Sequence, residues 1–398
     1  MKLLSYSFSL AILLLLTTTV TAQEADNKNG VFTKFGKGIN FTAADSSMSL
    51  KLGARFQTLF AAEKFLTDGS DIEKELMIRR FRLKMDGFVF TPNLEYKIEL
   101  ALSNRDNSPV IKEGSNAANI VLDAMLKYAF NDNLEVWFGQ TKLPGNRERV
   151  ISSQNLQFVD RSNVNSLYTL DRDIGLQLHH KFHIGNAVIK DKWAISMGQG
   201  RNITMTDTGG LSYTGRVELL PMGEFTSKGD YFDADLAREK TPKLSLAAGY
   251  SYNDGAVRKG GELGSFLKSS RDLSTFFADA MLKYNGWSLT SEYMNKEADH
   301  NPLLSDSSNY FQTGDGWNIQ SGYLFKNNVE IAARYTVVNP SLEIKGAEMA
   351  GKVTEYTLGL SKYFVGHSLK VQTDVSHIKD MLNPDPSLRW RLQVEMAF

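Results

Sequence analysis

Three basic side chains recur at every second position in the stretch "RRFRLK". Arg80, Arg82 and Lys84 alternate with apolar residues. On a β-strand, residues two apart point to the same face and lie roughly 6.6 Å from one another. A row of fixed cations attracts anions and raises their local concentration. The chemistry predicted here is electrostatic attraction of anions along a strand, without covalent steps.

Basic residues also occupy the polar face of the first and last predicted strands. Arg55 lies on the first strand, and Arg389 and Arg391 lie on the last one, which must pair with the first if the sheet closes. Closure therefore predicts one cationic sector of wall. Carboxylates on the same face, Glu99 and Glu395 among them, leave a second interpretation open, in which cross-strand ion pairs neutralise these cations and only hold the wall together.

Other chemistries find little support in the residue types. The chain has no cysteine, which excludes thiolate metal sites, cysteine nucleophiles and disulfides. His179 and His180 are adjacent, so on a strand they point to opposite faces and no metal site is predicted. His377 is the one candidate base for a barrel enzyme. We predict no cofactor, and the equal numbers of basic and acidic residues, 45 each, predict no nucleic-acid partner.

The elements that position these residues are predicted to be strands. The apolar–polar alternation of "MIRRFRLKMDGFVF" returns in "NLEYKIELALS", "IVLDAMLKYAF" and the terminal "RLQVEMAF". We count about sixteen such segments, joined alternately by short turns and longer polar connections. That layout predicts an all-β protein, a transmembrane up-and-down antiparallel β-barrel of the outer membrane. Aromatic residues cluster beside the short turns, which favours the barrel over a soluble all-β protein.

The termini and the connections complete the predicted organisation. Residues 1–22 carry Lys2, a short apolar run and small residues before Ala22, a pattern typical of a cleaved signal peptide. A periplasmic N-terminal segment is predicted over 23–46 and the barrel over 47–398. Segment 221–243 stands where a short turn is due, so either that turn is elaborated or the strand count is wrong by two.

The longest predicted connection, 142–171, is too long for an ordinary hairpin loop. Its many polar groups need water or partners, which a polar lumen provides. Its basic residues face four acidic ones (Glu148, Asp160, Asp171 and Asp173), so the loop is not strongly basic. The complete set of predicted pore-lining, anion-attracting residues is Arg55, Arg80, Arg82, Lys84, Lys142, Arg147, Arg149, Arg161, Arg172, Arg389 and Arg391.

Several motifs in this region resemble one family of outer-membrane channels. They are "GQTKLP" (139–144), "RER" (147–149), "SS" (152–153), "DRS" (160–162) and "DRDIG" (171–175). Their order is similar to that of the phosphate-selective porin O/P family, and "IRRFRLKMDGFVFTPNLEYKIELALSN" resembles its second hairpin. Gly145 departs from the family pattern, which has a bulky apolar residue there.

The resemblance implies a sixteen-stranded barrel in the outer membrane, a homotrimer, and a third long loop folded into the lumen. It also implies that the terminal Phe398 is read by the barrel-assembly machinery. We therefore expect an outer-membrane porin, surrounded by lipid, through which small hydrophilic solutes diffuse passively with a preference for phosphate-like anions. A non-selective general porin, a barrel enzyme and an adhesin are the alternatives.

Overall fold

The structure is a computed structural model that describes residues 32–67, 69–103, 105–106, 119–203, 209–304, 309–383 and 385–398. The predicted signal peptide, 1–22, lies outside the described residues. Within them the helices are all too short or too polar to cross a membrane.

Eighteen strands are present in the described residues and form one antiparallel sheet. They are β1 (Phe32–Thr33), β2 (Ile39–Thr42), β3 (Ser49–Phe65), β4 (Glu73–Val89), β5 (Thr91–Ala101), β6 (Val121–Asn131), β7 (Leu134–Lys142), β8 (Arg172–Ile184), β9 (Ala187–Ser196), β10 (Ser212–Leu220), β11 (Lys243–Arg258), β12 (Phe266–Tyr284), β13 (Trp287–Ala298), β14 (Gly314–Leu324), β15 (Val329–Pro340), β16 (Val353–Val365), β17 (Leu369–Asp380) and β18 (Ser387–Ala397). Three short α-helices, α1 (Arg147–Val150), α2 (Asn163–Tyr168) and α3 (Leu342–Gly346), and a 3₁₀ helix at Thr226–Tyr231 lie in the connections.

The strands β3 to β18 close into a sixteen-stranded barrel, as the sequence predicts. The closing pair is β18 with β3, in register from Ser387 opposite Phe65 to Ala397 opposite Arg55. The short β2 pairs with the start of β3, so the sheet begins before residue 47. Asn285 and Gly286, both with positive φ, form the two-residue turn between β12 and β13.

The two faces of the strands differ in the way that the alternation predicts. On β16, Tyr356 and Leu358 point outward and are 56% and 68% exposed, while Glu355 and Thr357 point inward and are buried. An apolar outer band with polar residues inside is the arrangement that lipid on one side and water on the other require.

The connection 143–171 contacts the inward faces of strands on several sides of the barrel. The Arg147 guanidinium lies 3.1 Å from Asp279 on β12, and Gln157 donates a 2.6 Å hydrogen bond to Glu330 on β15. The backbone N–H of Val159 donates to Asp374 on β17 at 3.1 Å. These partners lie on three different strands, β12, β15 and β17, so this one connection is anchored along a broad part of the inner wall.

Apolar packing also holds this connection, in addition to its polar contacts with the inner wall. Leu143, Val164, Tyr168 and Leu170 form a buried cluster with inward-facing residues that include Phe277. Glycines allow close approach elsewhere, because a Cβ at Gly322 would lie 2.1 Å from the Gln157 side chain and one at Gly359 would lie 3.0 Å from Phe158. The inner wall and the connection 143–171 are therefore complementary in shape at these positions.

The segment 221–242 between β10 and β11 is an elaborated turn, so the count of sixteen barrel strands is correct. The ammonium of Lys283 on β12 donates to the backbone carbonyls of Gly229, Phe232 and Ala234 at 2.8 to 2.9 Å. Phe225 of this segment packs with Ile151 and Leu156. The segment therefore contacts both the inner wall and the connection 143–171.

Candidate functional site

A cavity of about 600 Å³ lies between the inward faces of β4 to β9 and parts of the segments 142–152 and 224–231. We call it the channel cavity. Its basic lining residues are Arg82, Lys97, Lys127, Lys142, Arg172, Lys181, Lys190, Lys192 and Lys228. Its acidic lining residues are Glu99, Asp132, Glu135, Glu224 and Asp230. Nine cations therefore face five carboxylates around the cavity.

Neighbouring carboxylates reduce this surplus. The ammonium of Lys97 lies 2.5 Å from Asp123, and that of Lys127 lies 2.9 Å from Glu95. Lys192 lies 2.7 Å from Glu218. These three carboxylates do not line the cavity, but each neutralises part of the charge of a lysine that does. The net positive field is thus smaller than the lining alone indicates.

Four guanidiniums gather at one side of the channel cavity, and we call them the arginine cluster. They belong to Arg82 and Arg172, which line the cavity, and to Arg149 and Arg201 beside them. The Arg172 Nε atom lies 2.9 Å from Asp123. Arg149 forms an ion pair with Asp171. The buried Nε of Arg149 and Nη1 of Arg201 have no hydrogen-bond partner among the described residues.

Two members of the arginine cluster have lowered pKa values, although Arg82 lies 3.0 Å from Glu99 and 3.2 Å from Asp106. Burial lowers the pKa of Arg149 well below its ordinary value, and the guanidiniums of Arg161 and Arg172 add to the effect. Burial, with Arg172 nearby, also lowers the pKa of Arg201 to about 10. Like charges that crowd together disfavour each other's charged form, so an added anion would relieve this repulsion.

The predicted site residues divide into three groups in the structure. Arg82, Lys142 and Arg172 line the channel cavity, and Arg149 lies beside it. Lys142 donates to the carbonyl oxygen of Arg149 at 2.7 Å, so it also fixes the first turn of the connection 143–171. Arg161 stays within that connection, where it donates to the carbonyls of Glu148 and Ile151 at 2.7 Å.

A second group anchors the connection 143–171. The buried Arg55 lies 3.1 Å from Glu395 and donates to the Ser153 hydroxyl at 2.7 Å. Arg80 lies 2.9 Å from Asp160. Arg147 donates to Ser245 on β11 at 2.8 Å, in addition to its contact with β12.

The third group consists of wall cations with carboxylate partners. Lys84 lies 2.8 Å from Asp86, Arg389 lies 2.8 Å from Glu63, and Arg391 forms a bidentate pair with Asp374. None of these three lines the channel cavity. For Arg389 and Arg391 the geometry agrees with the interpretation of cross-strand ion pairing, whereas Lys84 pairs with a carboxylate on its own strand, β4.

Sequence reasoning missed the lysines that line most of the channel cavity. Lys97, Lys127, Lys181, Lys190 and Lys192 lie on β5, β6, β8 and β9. The signal was present, because each has the polar parity of its strand and these strands are close neighbours in the barrel. Lys228 and Tyr231, by contrast, reach the cavity on the segment 221–242, for which the alternation gives no signal.

The two adjacent histidines of β8 have separate partners on the two neighbouring strands, β7 and β9. The ring of His179 stacks on Trp137 with centroids 4.0 Å apart, whereas His180 lies 3.0 Å from Asp191. Within the described part of the chain, no group of three histidine or acidic residues is placed to hold a metal ion.

A closed sixteen-stranded barrel with an apolar outer band and a charged cavity along its inner wall is the architecture of an outer-membrane channel. The profile of the family described as "Phosphate-selective porin O and P" matches residues 50–384. This chain belongs to that family, which confirms the resemblance, and it is an outer-membrane porin. The family and the fold are those of a channel rather than an enzyme. No curated protein sequence matches the chain.

Solved structures share the fold at low sequence identity. The anion-selective porin from Comamonas acidovorans has a TM-score of 0.55 at 11% identity, covering 88% of this chain and 100% of that chain. The outer membrane channel DcaP of Acinetobacter baumannii has a TM-score of 0.54 at 12% identity, covering 91% and 100%. The trimer form of OmpT from Vibrio cholerae has a TM-score of 0.52 at 10% identity, covering 88% and 99%.

Proposed function

We propose that this porin prefers anions, and that small hydrophilic anions diffuse passively through the channel cavity. The observation that carries the proposal is the surplus of nine basic over five acidic lining residues. The guanidiniums of Arg82 and Arg172, the two members of the arginine cluster that line the cavity, add to the positive potential that attracts an anion. The anion-selective porin of similar fold is consistent with this preference.

The size limit is proposed to come from two segments. The connection 143–171 acts as the constriction loop in the lumen, and the segment 221–242 joins it from the other end of the barrel. Support comes from their contacts with the inner wall and with each other. Of the predicted site residues, Arg82, Lys142, Arg149 and Arg172 are proposed to attract anions.

The setting of the porin in the cell is also a proposal. Residues 1–22 act as a cleaved signal peptide, 23–46 as a periplasmic segment, and 47–398 as the barrel in outer-membrane lipid. The OmpT structure of similar fold is described as a trimer form, which supports a homotrimer here. Phe398, which follows the closing strand directly, serves as the signal to the barrel-assembly machinery.

A non-selective general porin is the second candidate. The observation that favours it is the set of ion pairs from Lys97, Lys127 and Lys192 to carboxylates behind the lining. If these pairs hold in the open pore, the remaining positive field is weak and both ions pass.

Purified protein in planar lipid bilayers distinguishes these candidates. We expect discrete channel steps and, in a potassium chloride gradient, a reversal potential that favours chloride. Equal passage of both ions would support the general porin, and preference for potassium would end the anion proposal. A pure, folded protein that gives no channel steps would contradict the proposed function altogether.

A further inference from the structure

Aromatic rings alternate with lysines across the wall of the channel cavity. Lys127 on β6 lies 5.9 Å from the Trp137 ring centroid on β7. Trp137 stacks on His179 of β8 at 4.0 Å with an interplanar angle of 17°. Lys192 on β9, opposite His179 in the strand register, lies 5.3 Å from the Tyr231 ring. We call these five residues the aromatic–lysine belt.

The hydrogen-bonding groups of the belt are already occupied. The Trp137 indole N–H donates to Glu135 at 3.0 Å, and a ring nitrogen of His179 lies 3.0 Å from Gln177. Lys192 donates to the Tyr231 hydroxyl at 2.8 Å. The rings therefore offer the cavity apolar surface and polarised ring edges rather than free donors.

Another part of the cavity lining, formed by the two connections, adds an apolar side. Leu143, Pro144 and Val150 come from the connection 143–171, and Phe225 comes from the segment 221–242. A small, strongly hydrated inorganic anion gains nothing from such surface, because apolar contacts stabilise only apolar groups. The belt together with this side suits a solute that has both a negative group and an apolar body.

We propose that the channel cavity binds organic anions that carry a flat apolar ring, of the aromatic carboxylate class. The ring lies against Trp137 and His179, and the carboxylate lies beside Lys127 or Lys192. This inference rests on the proposed function, because the solute must first enter an anion-preferring pore. It goes beyond that function by naming the solute class and the residues that select it.

The test is block of the single-channel chloride current by benzoate and by acetate, which share the carboxylate but differ in the ring. We expect benzoate to block at a concentration about 3- to 10-fold lower than acetate, the range that a ring contact provides. Trp137→Leu, which keeps an apolar side chain without the aromatic face, should remove most of this difference. Its acetate block should not change.

Two further variants keep the test decisive. Trp193→Ala removes an exposed tryptophan on β9 whose side chain is 53% exposed and does not line the cavity, and the benzoate preference should persist. His179→Leu tests the second ring if Trp137→Leu fails to fold.

Equal block by benzoate and acetate, or a preference unchanged in both belt variants, would overturn the inference and leave the anion-preferring porin intact. Preferential block by glucose 6-phosphate over benzoate would assign the belt to sugar phosphates instead and would also overturn it.

Discussion

The side-chain amide of Asn155 donates a 3.1 Å hydrogen bond to the backbone carbonyl of Tyr231. Asn155 lies on the connection between β7 and β8, and Tyr231 lies on the connection between β10 and β11. In an up-and-down barrel these two connections start at opposite ends. The backbone N–H of Asp233 donates a hydrogen bond to the Asn155 carbonyl at 3.1 Å. The two connections are therefore held together by two hydrogen bonds within the barrel.

Replacing 224–239 by a short glycine-containing turn should widen the pore. Removing this segment takes away the contacts from Lys283 and Asn155 and one side of the channel cavity, so we expect single-channel conductance to rise about two-fold or more. Planar-bilayer recordings measure it. Substitution of the exposed Met381 and Leu382 by glycine serves as the control and should not alter conductance. An unchanged conductance in the shortened variant would show that this segment does not limit the pore.

Arg149→Gln should weaken the anion preference. It removes one charge from the arginine cluster and leaves Asp171 with only the more distant Arg172, 3.9 Å away, so the chloride-to-potassium permeability ratio should fall by about two-fold. Reversal potentials in a salt gradient measure the ratio. Arg389→Gln is the matched control, because its partner Glu63 and the Arg389 side chain lie outside the cavity lining. A similar fall in both variants would mean that overall charge, not position, sets the selectivity.

Glu262 should make the barrel less stable at alkaline pH. This residue lies in the connection between β11 and β12, where burial raises its pKa to about 7, opposed by Lys296. Asp173 and Arg258 are the other charged groups that act on it.

The folded-state pKa of Glu262 lies above its unfolded value, so ionisation of this carboxyl lowers the free energy of unfolding. This destabilisation is absent below about pH 4.5 and develops as the pH rises to about 7. A shift of this size corresponds to at most about 3 kcal/mol. Thermal unfolding at pH 5 and pH 8 should give a larger difference for the natural chain than for Glu262→Gln. Identical differences would contradict the assignment.

Glu395→Ala should weaken the closed barrel. The change leaves the buried guanidinium of Arg55 without its carboxylate and also removes the partner of Lys370, 3.5 Å away. Loss of one partner of a buried ion pair typically costs about 3–5 kcal/mol. The temperature at which the barrel loses its compact mobility on a gel measures the effect. Glu343→Ala, at an exposed position on α3, should leave that temperature unchanged.

The barrel itself could be predicted because its physical cause is local in sequence. Alternation of apolar and polar residues, as in the terminal strand from Trp390 to Met396, follows directly from lipid on one face and water on the other. Strand ends were less predictable: β12 begins at Phe266, although its alternation is clear only from about residue 272. Extensions beyond the membrane are set by pairing with the neighbouring strand, not by lipid.

The site could be predicted only in part, because its residues meet through contacts far apart in sequence. Arg82 has a clear strand parity and lines the cavity, whereas Arg172 also lines it although it has the parity of the exposed Ile174 and Leu176. Arg55 and Arg80 have the same kind of parity, yet Ser153 and Asp160 of the connection 143–171 cover them. Parity identifies an inward side chain, but it does not say which part of the inner wall another segment will occupy.

The ion pair between Arg55 and Glu395 bears on how the protein matures. These two residues belong to the first and last strands of the barrel, and the same Arg55 also holds Ser153 of the connection 143–171. That contact is complete only once the last strand has arrived at the first. Closure of the barrel therefore adds a carboxylate to the guanidinium that holds Ser153, so the last strand to pair also strengthens one anchor of the inner connection.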